Sequence, residues 1–176
     1  ERCGECPWPQ PTGWQSPFCP NNLHRTMMQR VAPYTLRGFL YYQGEEDVVR
    51  YEGYSDMMIA LVKQWRMDWN DWSLPFLFVQ LPMYLAIDTE DDKKWAMQRE
   101  QQAIAAAMLK RVGMISMTDC GEFDNIHPLD KETPGTRLAL LAEQMVYGTG
   151  EELTPTVQQM YSDGTALYLV FDHVAD

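Results

Sequence analysis

The segment Asp124-Asn125-Ile126-His127-Pro128 places a carboxylate three residues before an imidazole, on what reads as a loop leaving a buried strand. That pairing suits a hydrolase. His127 would serve as general base, while Asp124 would hold its other ring nitrogen and stabilise the imidazolium that forms. The same spacing also allows Asp124 to cap a turn while His127 packs beside Pro128, and spacing alone does not separate the two. A second polar segment, Gln43-Gly44-Glu45, ends the apolar run from Gly38 to Tyr42. The Gln43 amide, at a strand end, could donate to a developing oxyanion or tie down its own loop. Glu45 could hydrogen-bond sugar hydroxyls or orient Gln43. Trp72, Tyr84 and Trp95 are open to stacking on a sugar ring or to ordinary packing.

Other residues compete poorly for chemistry. His173 directly follows Asp172, so on a strand their side chains face opposite ways. His24 begins a helix and is expected to be solvated or to cap it. With three histidines in the chain, no metal site is expected, although Glu45, Glu46, Asp119, Glu122 and Asp124 have the oxygen chemistry of a hard-cation site. Ser55, Ser73, Ser116 and Ser162 lack the strand-to-helix elbow of a serine nucleophile. The proposed chemistry needs no cofactor.

The elements that must position these groups alternate. Leu23, Met27, Met28 and Val31 have helical spacing, which Pro33 ends. Leu36 to Tyr42 reads as a strand. Tyr54, Met57, Met58, Leu61, Val62, Trp65 and Trp69 mark a long amphipathic helix. Pro75 to Leu81 is a nearly continuous apolar run, as in a strand buried on both faces of a parallel sheet. A helix follows from about Asp92 to Lys110, then a strand from Val112 to Met117. A last helix runs from Asp130 to Tyr147, with Pro134 in its first turn and Gly148 stopping it. This order predicts an α/β fold with a parallel sheet between helical layers. In such sheets ligands bind beyond the strands' carboxyl ends, where both polar segments fall.

Three regions are expected: a Pro- and Cys-rich irregular arm at 1–22, the α/β body at 23–150, and a short β appendage or the start of a further β domain at 151–176. Ser162-Asp163-Gly164 is the hairpin signal of the last. A net charge of −11 and a pI near 4.6 argue against nucleic acid or an anionic membrane as partners. No run reaches the ~18 apolar residues of a membrane span. Cys3, Cys6 and Cys19 crowd the arm while Cys120 stands beside Asp119. Cys3-Gly4-Glu5-Cys6 has half a zinc knuckle's spacing, which Cys19 and His24 could complete, but loop-stapling disulfides suit such a segment better. Disulfides would place the chain in a secreted, periplasmic or lysosomal setting, whereas reduced, unpaired thiols would leave the compartment open.

The blocks resemble one family in order. Arg37 to Glu45 resembles the "GxxWYQGE" block of the sialate O-acetylesterases and related carbohydrate acetylesterases of the SGNH hydrolase superfamily. Trp65-Arg66 with Trp69 resembles their "WR..W" helix, and Pro75 to Leu81 their "PFLFVQL" strand. Trp95, Arg99, Glu100 and Gln102 resemble "WxxxREAQ". Asn125 to Pro128 with Lys131, followed by Arg137-Leu138-Ala139, resembles "DIHPxxKxxxGxRLA".

The resemblance implies a three-layer α/β/α flavodoxin-like domain that removes O-acetyl groups from sialic acid or another sugar. It implies His127 as base, Asp124 as supporting acid, Gln43 in the oxyanion hole, and Gly44 and Glu45 beside the substrate. Two departures stand out. Asn125 occupies the place before Ile where many sialate esterases carry their acid, and Glu46 and Asp47 replace small residues after "QGE". The family's "GQSNM"-like nucleophile block has no counterpart here. The Gln15-Ser16 pair sits in the arm with no strand before it. The nucleophilic serine is thus expected on a second chain or an upstream segment, and the rival reading is a non-catalytic glycan-binding relative.

Overall fold

The computed structural model describes residues 21–32, 34–85, 90–150 and 156–172. Cys3, Cys6, Cys19, Trp8, Trp14, Ser16 and His173 lie outside them. The architecture is α/β, as expected. A π-helical turn (His24–Met28) runs into α1 (Gln29–Val31). Strand β1 (Phe39–Tyr41) leads through a 3-10 segment (Glu45–Gly53) into α2 (Tyr54–Asp68). Then come β2 (Phe76–Val79), α3 (Lys94–Met108), β3 (Val112–Ile115) and α4 (Glu132–Ala142), which continues as a π-helical turn (Glu143–Tyr147). The strands are parallel in the order β1-β2-β3, with Leu40 opposite Leu77 and Leu77 opposite Gly113.

The central strand shows why the sheet is layered. Successive side chains point to opposite faces, so Phe76 and Phe78 join one core with Phe39, Met58, Val62 and Ala105 from β1, α2 and α3. Leu77 and Val79 face the other way, towards Ile115, Met117 and Leu138 of α4. All four β2 residues are buried. Gly113 is required by this packing, because a Cβ there would stand 2.5 Å from the Met145 Sδ and 2.9 Å from Leu141 Cδ2.

Two buried polar side chains satisfy the ends of this strand. At its carboxyl end Gln102, fully buried on α3, accepts from Leu81 N at 2.9 Å and donates to Val79 O at 3.3 Å. At the other end Arg66, 4% exposed, donates to the carbonyls of Leu74, Lys110 and Arg111 at 2.9, 2.9 and 3.2 Å. One guanidinium thus ties α2 to the turns that feed β2 and β3.

Boundaries differ from the sequence reading for local reasons. Helix α3 starts at Lys94 rather than Asp92, because the Asp91 and Asp92 carboxylates accept from Lys93 N and Lys94 N while Lys93 turns left-handed at φ 62°. Asp130 likewise lies outside α4, its carboxylate accepting from Thr133 N at 3.0 Å. His24 is not the solvated residue expected: its Nε2 meets Asp68 Oδ2 at 2.6 Å across to the end of α2. The hairpin forms as β4 (Thr156–Ser162) and β5 (Leu167–Asp172), antiparallel. Asp163 holds its turn by accepting from Thr165 N and Ala166 N, both at 2.9 Å.

Replacing Gln102 with Leu keeps the volume but strands a buried N–H and a buried C=O. Each such group costs about 1–3 kcal/mol, so Gln102→Leu should lower unfolding free energy by about 2–5 kcal/mol in urea titration. A loss under about 1 kcal/mol would mean that water replaces the amide.

Candidate active site

Three loops leave the carboxyl ends of β1, β2 and β3 and lie against one another. Gly44, buried at φ 145°, admits no side chain: a Cβ there would sit 3.1 Å from Gln98 Nε2, 3.2 Å from the Tyr54 hydroxyl and 3.3 Å from Leu81 Cδ1. Gln98 itself is fully buried, and neither of its amide atoms has a hydrogen-bond partner among the described residues. Gly121, at φ 119°, is pressed to 2.7 Å against Pro82 Cβ by the same measure. Leu85 N donates to Phe123 O at 2.8 Å, joining the second loop to the third. Lys131 places its ammonium 5.1 Å from the centre of the Tyr42 ring, which links the start of α4 to the first loop.

Within the first loop the Gln43 amide is fixed on both sides. Its Nε2 donates to Asp47 Oδ2 at 2.7 Å, and its Oε1 accepts from the Tyr41 hydroxyl at 2.9 Å. A carboxylate only accepts, so Asp47 dictates which end of the amide faces it. Burial first, then Asp47 and Glu45, push the Tyr41 phenol up to about 12, so it remains a donor. The Tyr54 hydroxyl also donates to Gln43 O at 3.0 Å. Tyr54 is raised in the same way, chiefly by burial. The amide's second N–H has no partner among the described residues. The carboxylate of Glu45, half-buried, makes no hydrogen bond among them and raises the Tyr42 phenol after burial does.

In the third loop His127 and Asp124 are exposed. His127 N donates to Asn125 Oδ1 at 2.9 Å. Among the described residues no hydrogen bond joins the His127 ring to Asp124, or either of them to Gln43. Glu122 accepts from Leu129 N at 2.6 Å and from Asn125 Nδ2 at 2.7 Å. Arg137 of α4 grips Asp119 with two bonds, at 2.7 and 2.6 Å, and reaches Ser116 O at 2.6 Å. This guanidinium holds the Asp119 carboxyl well below the usual range. Cys120 beside it is raised by burial first. A small cavity of about 110 Å³ opens here, lined by Met83, Thr118, Asp119, Cys120, Gly121 and Phe123.

Among the described residues no hydrogen bond joins a serine to an imidazole. Ser55 donates to Gln101 at 2.7 Å, Ser73 to Asp71 at 2.6 Å, and Ser116 pairs with Thr118 at 3.0 Å. Tyr84 and Trp95 meet edge to face at 5.0 Å, while Trp72 is 61% exposed. Among the described residues no group of three His, Cys, Asp or Glu side chains gathers in reach of one metal ion. Sequence reading did not find the partners Asp47, Tyr41 and Glu122. Only Asp47 left a trace, in its i+4 spacing from Gln43.

A parallel sheet with its hydrogen-bonded polar loops collected beyond the strands' carboxyl ends defines an α/β domain of the ligand-binding kind. Residues 11–146 match the family described as carbohydrate esterase, sialic acid-specific acetylesterase, and the chain belongs to that family. It is 29% identical over 142 residues to the sialate O-acetylesterase of Rattus norvegicus, covering 72% of this chain and 26% of the relative. Against the Homo sapiens enzyme of the same name it is 28% identical over 161 residues, covering 82% of this chain and 30% of the relative. A solved carbohydrate acetylesterase from Xanthomonas citri superposes with a TM-score of 0.77 at 33% identity, over 86% of this chain and 36% of that one. The chain thus spans roughly a third or less of the relatives it matches.

The Asp119 carboxyl is depressed in the folded state, so the stability its pair with Arg137 contributes is present above the ordinary carboxyl value of about 3.9 and lost as pH falls through the lower folded value. The stability difference between the wild type and Arg137→Met should therefore stay level from neutral pH to about pH 4 and narrow below it. Urea unfolding at stepped pH measures this. A difference that narrows already near pH 6 would show that another group holds Arg137.

Proposed function

We propose that this chain is the carboxyl-terminal part of a carbohydrate O-acetylesterase domain, acting on acetylated sugars such as sialic acid through a serine mechanism. The observation that carries the reading is the Gln43 amide. It is held at a parallel strand's carboxyl end with its orientation dictated by Tyr41 and Asp47 and one N–H left to donate. A donor fixed before the reaction costs no reorganisation when charge develops on the ester oxygen. His127 takes the serine proton and returns it to the leaving sugar hydroxyl. Asp124 supports the imidazolium, and Gly44 keeps the first loop close to the substrate.

The nucleophilic serine lies on an upstream segment or a second chain. Strand β1 supports this, because among the described residues it is an edge strand, with Leu40 65% exposed. A cavity of about 180 Å³ beside it, lined by Leu40, Leu77, Val146 and Tyr147 among others, leaves room for an added element. An open apolar edge is a template for a further strand. The three arm cysteines suit an oxidising compartment, secreted, periplasmic or lysosomal.

Fluorophosphonate labelling of the native, purified protein, followed by intact mass analysis of each polypeptide, tests the reading. Label is expected on a serine outside residues 1–176. Absence of label on every polypeptide would favour a glycan-binding protein without turnover. In the unlabelled enzyme His127→Ala should cut acetyl-ester turnover by several orders of magnitude, since base and nucleophile act as a unit. A loss below tenfold would remove His127 from that role. Gln43→Ala should cost on the order of 10²-fold in kcat, and an unchanged rate would leave it a loop brace.

A further inference from the structure

The structure assigns Glu122 as a positioning residue for His127, a role that rests on the esterase reading above. One carboxylate grips the loop on both sides of the histidine. Its Oε1 accepts from Leu129 N at 2.6 Å, two residues after His127, and its Oε2 accepts from Asn125 Nδ2 at 2.7 Å, two residues before it. The relay then closes on the histidine's own backbone, where Asn125 Oδ1 accepts from His127 N at 2.9 Å.

The polarity of the relay runs one way. A carboxylate has no proton to offer, so it commands the amino end of the Asn125 amide and turns the carbonyl end towards His127 N. The bond from Leu129 N, then that from Asn125, hold the Glu122 carboxyl below its ordinary value, so it is ionised at neutral pH. The base of the loop is anchored separately: Asn125 N donates to Glu122 O at 3.2 Å, Leu85 N to Phe123 O at 2.8 Å, and Pro128 is buried. The imidazole is exposed and has no ring partner among the described residues. Its placement is therefore set through its backbone, and Glu122 is the group on which that backbone hangs.

The relay also accounts for an amide at position 125. Beside Glu122 a second carboxylate would face the first, whereas an amide satisfies it and still accepts from His127 N. This complementarity makes the role testable by exchange of polarity. Glu122→Gln keeps an acceptor for Leu129 N but sets one amino group against another, and Asn125→Asp sets one carboxylate against another. The double variant restores a donor facing an acceptor, with the direction reversed.

In the complete protein, kcat for a soluble acetyl ester should fall about tenfold or more in each single variant, because misplacement of a reacting group by about 1 Å can cost 10²-fold. KM should hold. The double variant should recover most of the loss, with a coupling that independent sites do not show. Amide exchange of residues 122–131, read by mass spectrometry, should rise in each single variant and fall back in the double. Single variants with wild-type kcat, or a double variant no better than the worse single, would overturn the assignment. A wild-type protein that releases no acetate would refute the esterase reading instead. Exchange then judges the clamp alone, and unchanged protection in Glu122→Gln would overturn it.

Discussion

Everything in this domain is arranged around a strand that cannot see water. Strand β2 has every side chain buried and a neighbour on each edge, so the groups just beyond its ladder have no solvent to bond and must find protein partners. Gln102 and Arg66 are those partners, one at each end. Their placement has a consequence for the site. The loop after β2 leaves the sheet from a backbone pinned to α3, and Arg99 and Gln80 add a second tie there, with Gln80 Nε2 donating to Arg99 O at 3.1 Å. The loops of β1 and β3 then rest on this fixed middle, through Gly44 against Leu81 and Gly121 against Pro82.

On that platform the polar groups follow one rule: an acceptor-only carboxylate orients an amide, and the amide orients something useful. Asp47 sets Gln43, and Glu122 sets Asn125. Amide side chains are nearly symmetric in shape, so without such a partner either end could point at a ligand or at the backbone. A carboxylate removes that freedom in each case. It also explains how a chain with a net charge of −11 can crowd acids at one edge of the sheet. Asp47, Asp119 and Glu122 are each engaged by a donor, Gln43, Arg137 and the Leu129 amide respectively.

The sheet and its helices were legible because burial imposes periodicity. The run from Pro75 to Leu81 could only be a doubly buried strand, and the spacing of Tyr54, Met58 and Val62 only one face of a helix. Family membership was legible too, from ordered blocks spread across the body of the chain. Polar side chains inside the core were not. Arg66, Gln98 and Gln102 fall on the buried faces of their helices, where a pattern of apolar residues marks them as interruptions. The partners of Arg66 and Gln102 are backbone carbonyls and an amide up to 45 positions away, and backbone groups leave no mark in a sequence. His24 was misjudged for the same reason, since Asp68 is 44 positions distant. The helix starts moved by two residues wherever an aspartate bonded the backbone from outside the helix instead of joining it.

The site divides along the same line. That two polar loops share an edge followed from the parallel topology, and the geometry within each loop did not. Asp124 and His127, three residues apart, were expected to meet through their side chains, yet the contact the loop makes is from Asn125 to the His127 backbone. A general base needs two separate things: a fixed position and a fixed tautomer. The loop supplies the first through hydrogen bonds to its backbone, which hold whatever the ring's protonation. The second requires an acceptor at the ring nitrogen itself. Position is therefore built into the loop in advance and the tautomer is not: among the described residues no acceptor meets the ring, although Asp124 and Asp130 each stand three positions from His127 in the sequence.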